Sequence, residues 1–227
     1  MSRRLRYDIP GPDRRVTLED ARAKGWEALF PELPQPLRLV LEIGFGRGEF
    51  LAELAARAPE VAHVGVEVSW KRVLKMARRL ARSELANVRL VHGTGQQVVS
   101  EAIRPGSLDA VWINFPDPWP KKRHHRRRLV QPALLAALAE RLRPGGVLHL
   151  ATDDVAYAEH IAALLAAEPR LVNLFAPDRW LAEVPGRTTT AYELAWRAEG
   201  RPLHFWSYAR TGPRGSAAGI DAPGALP

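Results

Sequence analysis

Residues 110–128 read Ala-Val-Trp-Ile-Asn-Phe-Pro-Asp-Pro-Trp-Pro-Lys-Lys-Arg-His-His-Arg-Arg-Arg. An apolar run ends in a turn stiffened by prolines, and between two of them stands one carboxylate, Asp117. Eight consecutive basic or histidine side chains, Lys121 to Arg128, follow. A carboxylate on rigid backbone can orient a polar substrate or balance a developing positive charge, and a cationic run attracts a polyanion. Either feature alone is commonplace, as a tight turn or a solvated face. Their adjacency, downstream of a glycine-rich loop, points to a site.

That loop is Glu42-Ile43-Gly44-Phe45-Gly46-Arg47-Gly48. Glycines between a strand and a helix let the backbone turn sharply and approach a nucleotide-like ligand closely. No Gly-Lys-Ser/Thr follows, which excludes a phosphate-cradling ATPase loop. Glu49 stands where a dinucleotide fingerprint wants its last glycine, which disfavours a nicotinamide dehydrogenase. Glu42, just ahead of the loop, would repel pyrophosphate but suits a cation. S-Adenosylmethionine, with its sulfonium and ammonium groups, fits that preference. Glu67, 23 residues after Gly44, is placed to accept hydrogen bonds from ribose hydroxyls.

These residues need a scaffold, and the hydrophobic pattern supplies one. Short aliphatic runs predict strands at 38–43, 62–67, 88–92, 108–113, 147–151, 171–175 and 203–209. Amphipathic stretches predict helices at 48–58, 70–83, 95–102, 129–141 and 154–167. The alternation implies an α/β fold with a doubly wound, mostly parallel, seven-stranded sheet. Residues 1–36 read as a basic N-terminal arm with one helix near 17–30, residues 37–210 as the main domain, and 211–227 as a disordered tail. In such sheets ligands bind beyond the carboxyl ends of the strands, so Gly44, Glu67, Thr94, Asp117 and Asp153 should line one edge. Thr190 and Glu193 have the spacing of a helix capping box, with Gly200 ending the helix, and Asp153 or Asp154 could cap the helix that follows them.

At 227 residues one domain with extensions is expected, and Lys plus Arg exceed Asp plus Glu by 33 to 25. The excess is clustered: Arg3, Arg4, Arg6, Arg14 and Arg15; then Lys71, Arg72, Lys75, Arg78, Arg79 and Arg82; then 121–128. A nucleic-acid backbone is the natural partner. The absence of cysteine excludes a thiolate nucleophile and cysteine-ligated zinc, and the seven histidines lack metal-ligand spacing, so no metal is expected. No signal peptide and no run of about 18 apolar residues is present, so a cytoplasmic protein without membrane association is expected. The sequence does not distinguish a monomer from a homodimer.

The sequence resembles the bacterial tRNA (guanine-N7-)-methyltransferases, which modify guanosine 46 in the variable loop. The resemblance spans roughly residues 38–209. It rests on Leu-Glu-Ile-Gly-Phe-Gly-Arg-Gly (41–48), Gly-Val-Glu-Val (65–68), Phe-Pro-Asp-Pro-Trp-Pro-Lys-Lys-Arg-His (115–124), Arg-Arg-Leu-Val (127–130), Ala-Thr-Asp (151–153) and Thr-Ala-Tyr-Glu (190–193). The first two are generic to adenosylmethionine enzymes, and the third is the specific one. By position, the resemblance implies a Rossmann-like methyltransferase fold, with cofactor contacts at Glu42, the Gly44, Gly46 and Gly48 loop, Glu67, Thr94 and Asp117. It makes Asp117 the catalytic residue and assigns tRNA or guanine contacts to Lys121, Asp153, Thr190, Ala191, Tyr192 and Glu193. The chain departs from the family pattern at Thr94, where Asp or Asn is usual, and at Ala191, where a lysine is usual.

Guanine N7 carries a lone pair in the neutral base, so methylation needs no prior proton removal, and the product ring is cationic. Catalysis should come from alignment, exclusion of water and negative potential near the purine. Trp119 and Tyr192 are candidates to hold the base. A rival enzyme, an amino-group methyltransferase acting on adenine or glutamine, would want Asn/Asp-Pro-Pro-aromatic after the fourth strand, and Asp117-Pro118-Trp119 lacks the second proline. A non-catalytic RNA-binding protein with a relict pocket is the other alternative. The intact Glu42, glycines, Glu67 and Asp117 argue against it.

Overall fold

The computed structural model describes residues 8–212. The expected disorder of 213–227 and the arginines at 3, 4 and 6 therefore lie outside the described residues. The chain divides into two compact units, one up to Ala102 and one from Ile103.

In the first unit, β2 (Leu39–Ile43), β3 (Ala62–Glu67) and β4 (Val88–His92) run parallel. Their aliphatic residues are buried on both faces, as parallel strands require. Helices α3 (Glu49–Arg57), α4 (Trp70–Leu80) and α5 (Gly95–Glu101) follow the three strands in turn. Leu51, Ala55, Val73, Met76, Ala77 and Leu80 from the helices pack against Val88 and Leu90. A further strand, β1 (Arg15–Val16), pairs in parallel with β4 through Arg15 and Leu90, giving the order β1-β4-β3-β2. The helix expected at 17–30 is two helices, α1 (Leu18–Lys24) and α2 (Trp26–Leu29), because Gly25 takes φ 76° between them. Trp26 is buried and its indole N–H donates to Ala102 O at 2.8 Å, so residues expected as an arm contribute to this unit's core.

In the second unit, β5 (Leu108–Asn114) pairs in parallel with β6 (Leu142–Thr152). β8 (His204–Arg210) runs antiparallel to β6 and to β7 (Leu171–Asn173), giving the order β5-β6-β8-β7. Helices α6 (Pro132–Arg141) and α7 (Val155–Ala166) flank β6 in sequence, and α8 (Ala191–Ala198) precedes β8. Arg143 to Gly146, lying between the helix expected at 129–141 and the strand expected at 147–151, belongs to β6 around a register shift. The backbone there lies so close to β5 that a Cβ at Gly146 would come within 2.7 Å of Leu108 O. Among the described residues no helix is long and apolar enough to cross a membrane.

Candidate active site

The first unit gathers Glu42, the glycine loop, Glu67 and Thr94 at the carboxyl ends of β2, β3 and β4. Parallel register sets Glu42 beside Gly65 and Glu67 beside His92. Gly44 N–H donates to Val66 O at 2.7 Å and Gly48 N–H to Phe45 O at 2.8 Å, which folds the loop back on β3. The three glycines all have positive φ, 79°, 59° and 77°, but they do different work. A Cβ at Gly44 would meet nothing within 4 Å, and one at Gly46 only Gly44 O at 3.9 Å, so these two present bare backbone to open space. A Cβ at Gly48 would strike Met76 Sδ, so Gly48 serves packing at the head of α3.

Glu42 and Glu67 are both buried. The Glu67 carboxylate accepts from Gly46 N–H at 3.0 Å and Ser69 N–H at 2.9 Å, with Arg72 Nη1 at 3.5 Å. Hydrogen bonds and a cation offset its burial. Glu67 thereby holds the glycine loop in shape, a role that sequence reasoning did not assign to it. Thr94 caps α5 in a reciprocal box: its hydroxyl accepts from Gln97 N–H at 3.2 Å, and its own N–H donates to the Gln97 side chain at 3.3 Å. The Thr94 hydroxyl is thus engaged by its own helix.

The second unit gathers Asp117, Lys121 and Asp153 in the segments that follow β5 and β6. Asp117 is exposed. It is bracketed by two aromatic residues in the left-handed region, Phe115 at φ 51° and Trp119 at φ 45°. Bulky residues pay a steric penalty there, on the order of 1–3 kcal/mol each. The surroundings hold both. Phe115 N–H donates to Ala151 O at 2.9 Å, and its ring lies edge-on to Trp196 and Phe205 at 5.0 and 6.2 Å. Arg128 Nε donates to Pro118 O at 2.9 Å, and Trp119 meets His124 and Arg127. No sequence signal announces positive φ at Phe or Trp.

Lys121 is exposed at the head of a 3₁₀ helix, Lys122–Arg127. Its neighbours Lys122, Arg123, Arg126 and Arg127 are exposed too, but Arg128 is 2 % exposed, with its guanidinium over the Tyr157 ring at 4.7 Å. Arg128 therefore belongs to the turn's support and not to the cationic surface the sequence suggested. The cap of α7 is Asp154, which accepts from Tyr157 N–H at 2.7 Å. Asp153 faces Arg201 instead, at 3.2 Å.

The 190–193 segment is only half of the expected capping box. Thr190 Oγ1 accepts from Glu193 N–H at 3.0 Å, but the Glu193 carboxylate binds Arg187, and Arg197 at 3.1 Å. Thr190 and Glu193 are buried, and Tyr192 is exposed. Ala191 opens α8, and Gly200, at φ 69°, ends it in a Schellman arrangement: Gly200 N–H donates to Arg197 O and Arg201 N–H to Trp196 O. Arg187, unnoticed in the sequence, ties this segment to the end of β5. It donates to Asn114 Oδ1 at 2.5 Å and to Thr188 O at 3.1 Å, pairs with Glu193, and lies over the Phe205 ring.

Burial sets the charge state of two histidines. His63 is pushed down to about 4, its backbone contact to Val61 only partly opposing that. His149 is pushed down to about 3 by burial and by Arg187; its ring stacks on Trp112 at 3.8 Å and its Nδ1 contacts Ser207 Oγ. Both are neutral at pH 7. Among the described residues no group of His, Cys, Asp or Glu could hold a metal ion.

The first rim can therefore receive a cationic, hydroxyl-bearing ligand against bare glycine backbone. The second can present a carboxylate beside cations suited to a polyanion. Comparison with known proteins gives the family. Residues 37–206 match the family described as "Putative methyltransferase". The chain is 40% identical over 203 residues to the tRNA (guanine-N(7)-)-methyltransferase of Mycobacterium avium, covering 79% of this chain and 78% of the relative. It is 47% identical over 168 residues to the enzyme of that name from Alkalilimnicola ehrlichii, covering 68% and 71%. Among solved structures it is similar to the 16S rRNA methyltransferase KamB, with TM-score 0.61 at 16% identity over 84% of this chain and 94% of that one. The aminoglycoside resistance methyltransferase NpmB1 follows at TM-score 0.56 and 17% identity over 82% and 93%. At such identity these structures speak for the Rossmann-like fold alone.

Proposed function

The chain belongs to the tRNA (guanine-N7-)-methyltransferases, S-adenosylmethionine-dependent enzymes that methylate guanine N7 in tRNA, and on that premise we propose which of its residues hold donor and base, and that the base is guanosine 46 of the variable loop. When bound, the donor supplies an electrophilic methyl group on a sulfonium. The residues present fit it: Glu42 and Glu67 are buried acids at the strand ends, and Gly44 and Gly46 leave open the space a Cβ would fill. Glu42 opposes the donor's positive charge, Glu67 accepts from the ribose while bracing the loop, and the backbone at Gly44 and Gly46 lies against the ligand. Gly48 acts through helix packing, and Thr94 would border the adenine.

Asp117 is the catalytic residue of this reading. Its carboxylate, together with that of Asp153, would supply negative potential as the ring becomes cationic, and these acids would accept from the base's N1–H and amino group. Asp153, steadied by Arg201, assists in recognising the base, and Lys121 with the exposed part of the 3₁₀ helix contacts phosphates. Tyr192 offers a ring to a nucleobase, while Thr190 and Glu193 act by fixing the start of α8, with Ala191 contributing backbone. No metal takes part, and a cytoplasmic enzyme is the matching location. The strained turn at Phe115 and Trp119 carries the reading, because strain of this kind persists where a side chain must be held for function. The test is to incubate the purified protein with labelled methyl donor and bulk tRNA and to map the product. N7-methylguanine at position 46 is expected, and label confined to another base or position would overturn the assignment.

A further inference from the structure

Helix α4 carries Lys71, Arg72, Lys75, Arg78 and Arg79, with Arg82 just beyond its end, and no acidic residue in its eleven positions. Its apolar residues Val73, Leu74, Met76, Ala77 and Leu80 are all buried, so the cations share the outer face. Lys71, Lys75 and Arg79 recur every fourth residue, forming an exposed row about 12 Å long. Like charges at this spacing destabilise a helix. Other helices of the described chain relieve such charge: Lys24 pairs with Asp20, Arg57 with Glu53, Arg141 with Glu140 and Arg197 with Glu193. On α4, Arg72 approaches Glu67 and Arg78 donates to Asp8 O, but no carboxylate pairs with Lys71, Lys75, Arg79 or Arg82 among the described residues. Arg15 nearby, stacked over Trp70 at the head of α4, is by contrast neutralised by Asp13 at 2.6 Å.

We propose that the outer face of α4 is a second RNA-binding surface, on the first unit, that grips the phosphate backbone of tRNA through Lys71, Lys75, Arg79 and Arg82. It rests on the assignment of tRNA as substrate and adds a contact region to the one formed by residues 121–127. A polyanion relieves the repulsion along the row and releases counterions as it binds. An anionic membrane is the weaker fit, because a helix lying in a bilayer surface buries its apolar side in lipid, and here that side is inside the protein.

The test is the triple variant Lys71→Ala, Lys75→Ala, Arg79→Ala, titrated with tRNA across a range of salt concentrations. The slope of log affinity against log salt should shrink by about one for each cation removed. KM for tRNA should rise while turnover at saturating tRNA and donor affinity by calorimetry stay as in the unaltered protein. Thermal stability should hold or rise, since repulsion is relieved. A second variant with Gln at the three positions guards against a helix-propensity artefact. An unchanged salt slope, or a loss seen only with anionic vesicles, overturns the proposal. Failure of the underlying assignment looks different: the unaltered protein would then transfer no methyl group to tRNA.

Discussion

At the scale of single residues, one arginine ties the loop before α8 to the end of β5. Arg187 joins Asn114 at the end of β5 to Glu193 in the first turn of α8, and both partners sit beside groups assigned to chemistry. Removing the guanidinium leaves Glu193 with Arg197 alone and frees the turn. Arg187→Ala should lower stability by about 3 kcal/mol in a denaturant titration. Arg187→Lys keeps the charge but cannot hold two partners in one plane. Its turnover should fall at least about tenfold at saturating substrates, with donor affinity unchanged by calorimetry. Equal turnover in the lysine variant would show that Arg187 is only a structural ion pair. Arg187 was invisible in the sequence because an arginine in a loop gives no sign of what it reaches.

At the scale of elements, the basic run splits into two functions. The exposed part of the 3₁₀ helix is available to RNA, while Arg128 turns back under Pro118 and over Tyr157. Lys122→Ala with Arg126→Ala should weaken tRNA binding and reduce its salt slope by about two, with little change in stability. Arg128→Ala should instead destabilise the fold by on the order of 2 kcal/mol, through a lost hydrogen bond and a lost cation–ring contact. A binding loss confined to Arg128→Ala would reverse this division. The sequence shows charge but not the direction of a side chain, so eight cationic or histidine residues read as one patch. Strands β2 to β5, and β6 from Val147 onward, were legible because most of their aliphatic residues are buried. The two-residue β1 was not, since Arg15 and Val16 carry no periodicity, and the break at Gly25 was hidden inside a continuous amphipathic pattern. The glycine loop was legible as a sharp strand-to-helix turn, and its three glycines do take positive φ. The strain at Phe115 and Trp119 was not, because it is imposed by tertiary packing on residues that would avoid it locally.

At the scale of the whole molecule, stability should depend on pH through its buried histidines. His63, 2 % exposed, has its value depressed from 6.5 to about 4, so the unfolded chain takes up the proton first as pH falls. Its contribution is complete above about pH 6.5 and is lost progressively toward pH 4, a loss of about 3 kcal/mol. His149 extends the same trend toward pH 3. Urea midpoints at pH 7.5 and pH 4.5 should differ accordingly, and His63→Gln should narrow the difference. An equal difference in that variant would assign the acid sensitivity elsewhere. The proposed chemistry depends on Asp117, the carboxylate of the strained turn between Phe115 and Trp119. The most direct test is single-turnover methyl transfer by Asp117→Ala with donor and tRNA both saturating. Removal of a group acting on developing charge predicts a loss of at least about a hundredfold, with the fold intact by circular dichroism. Transfer near the rate of the unaltered protein would contradict the account.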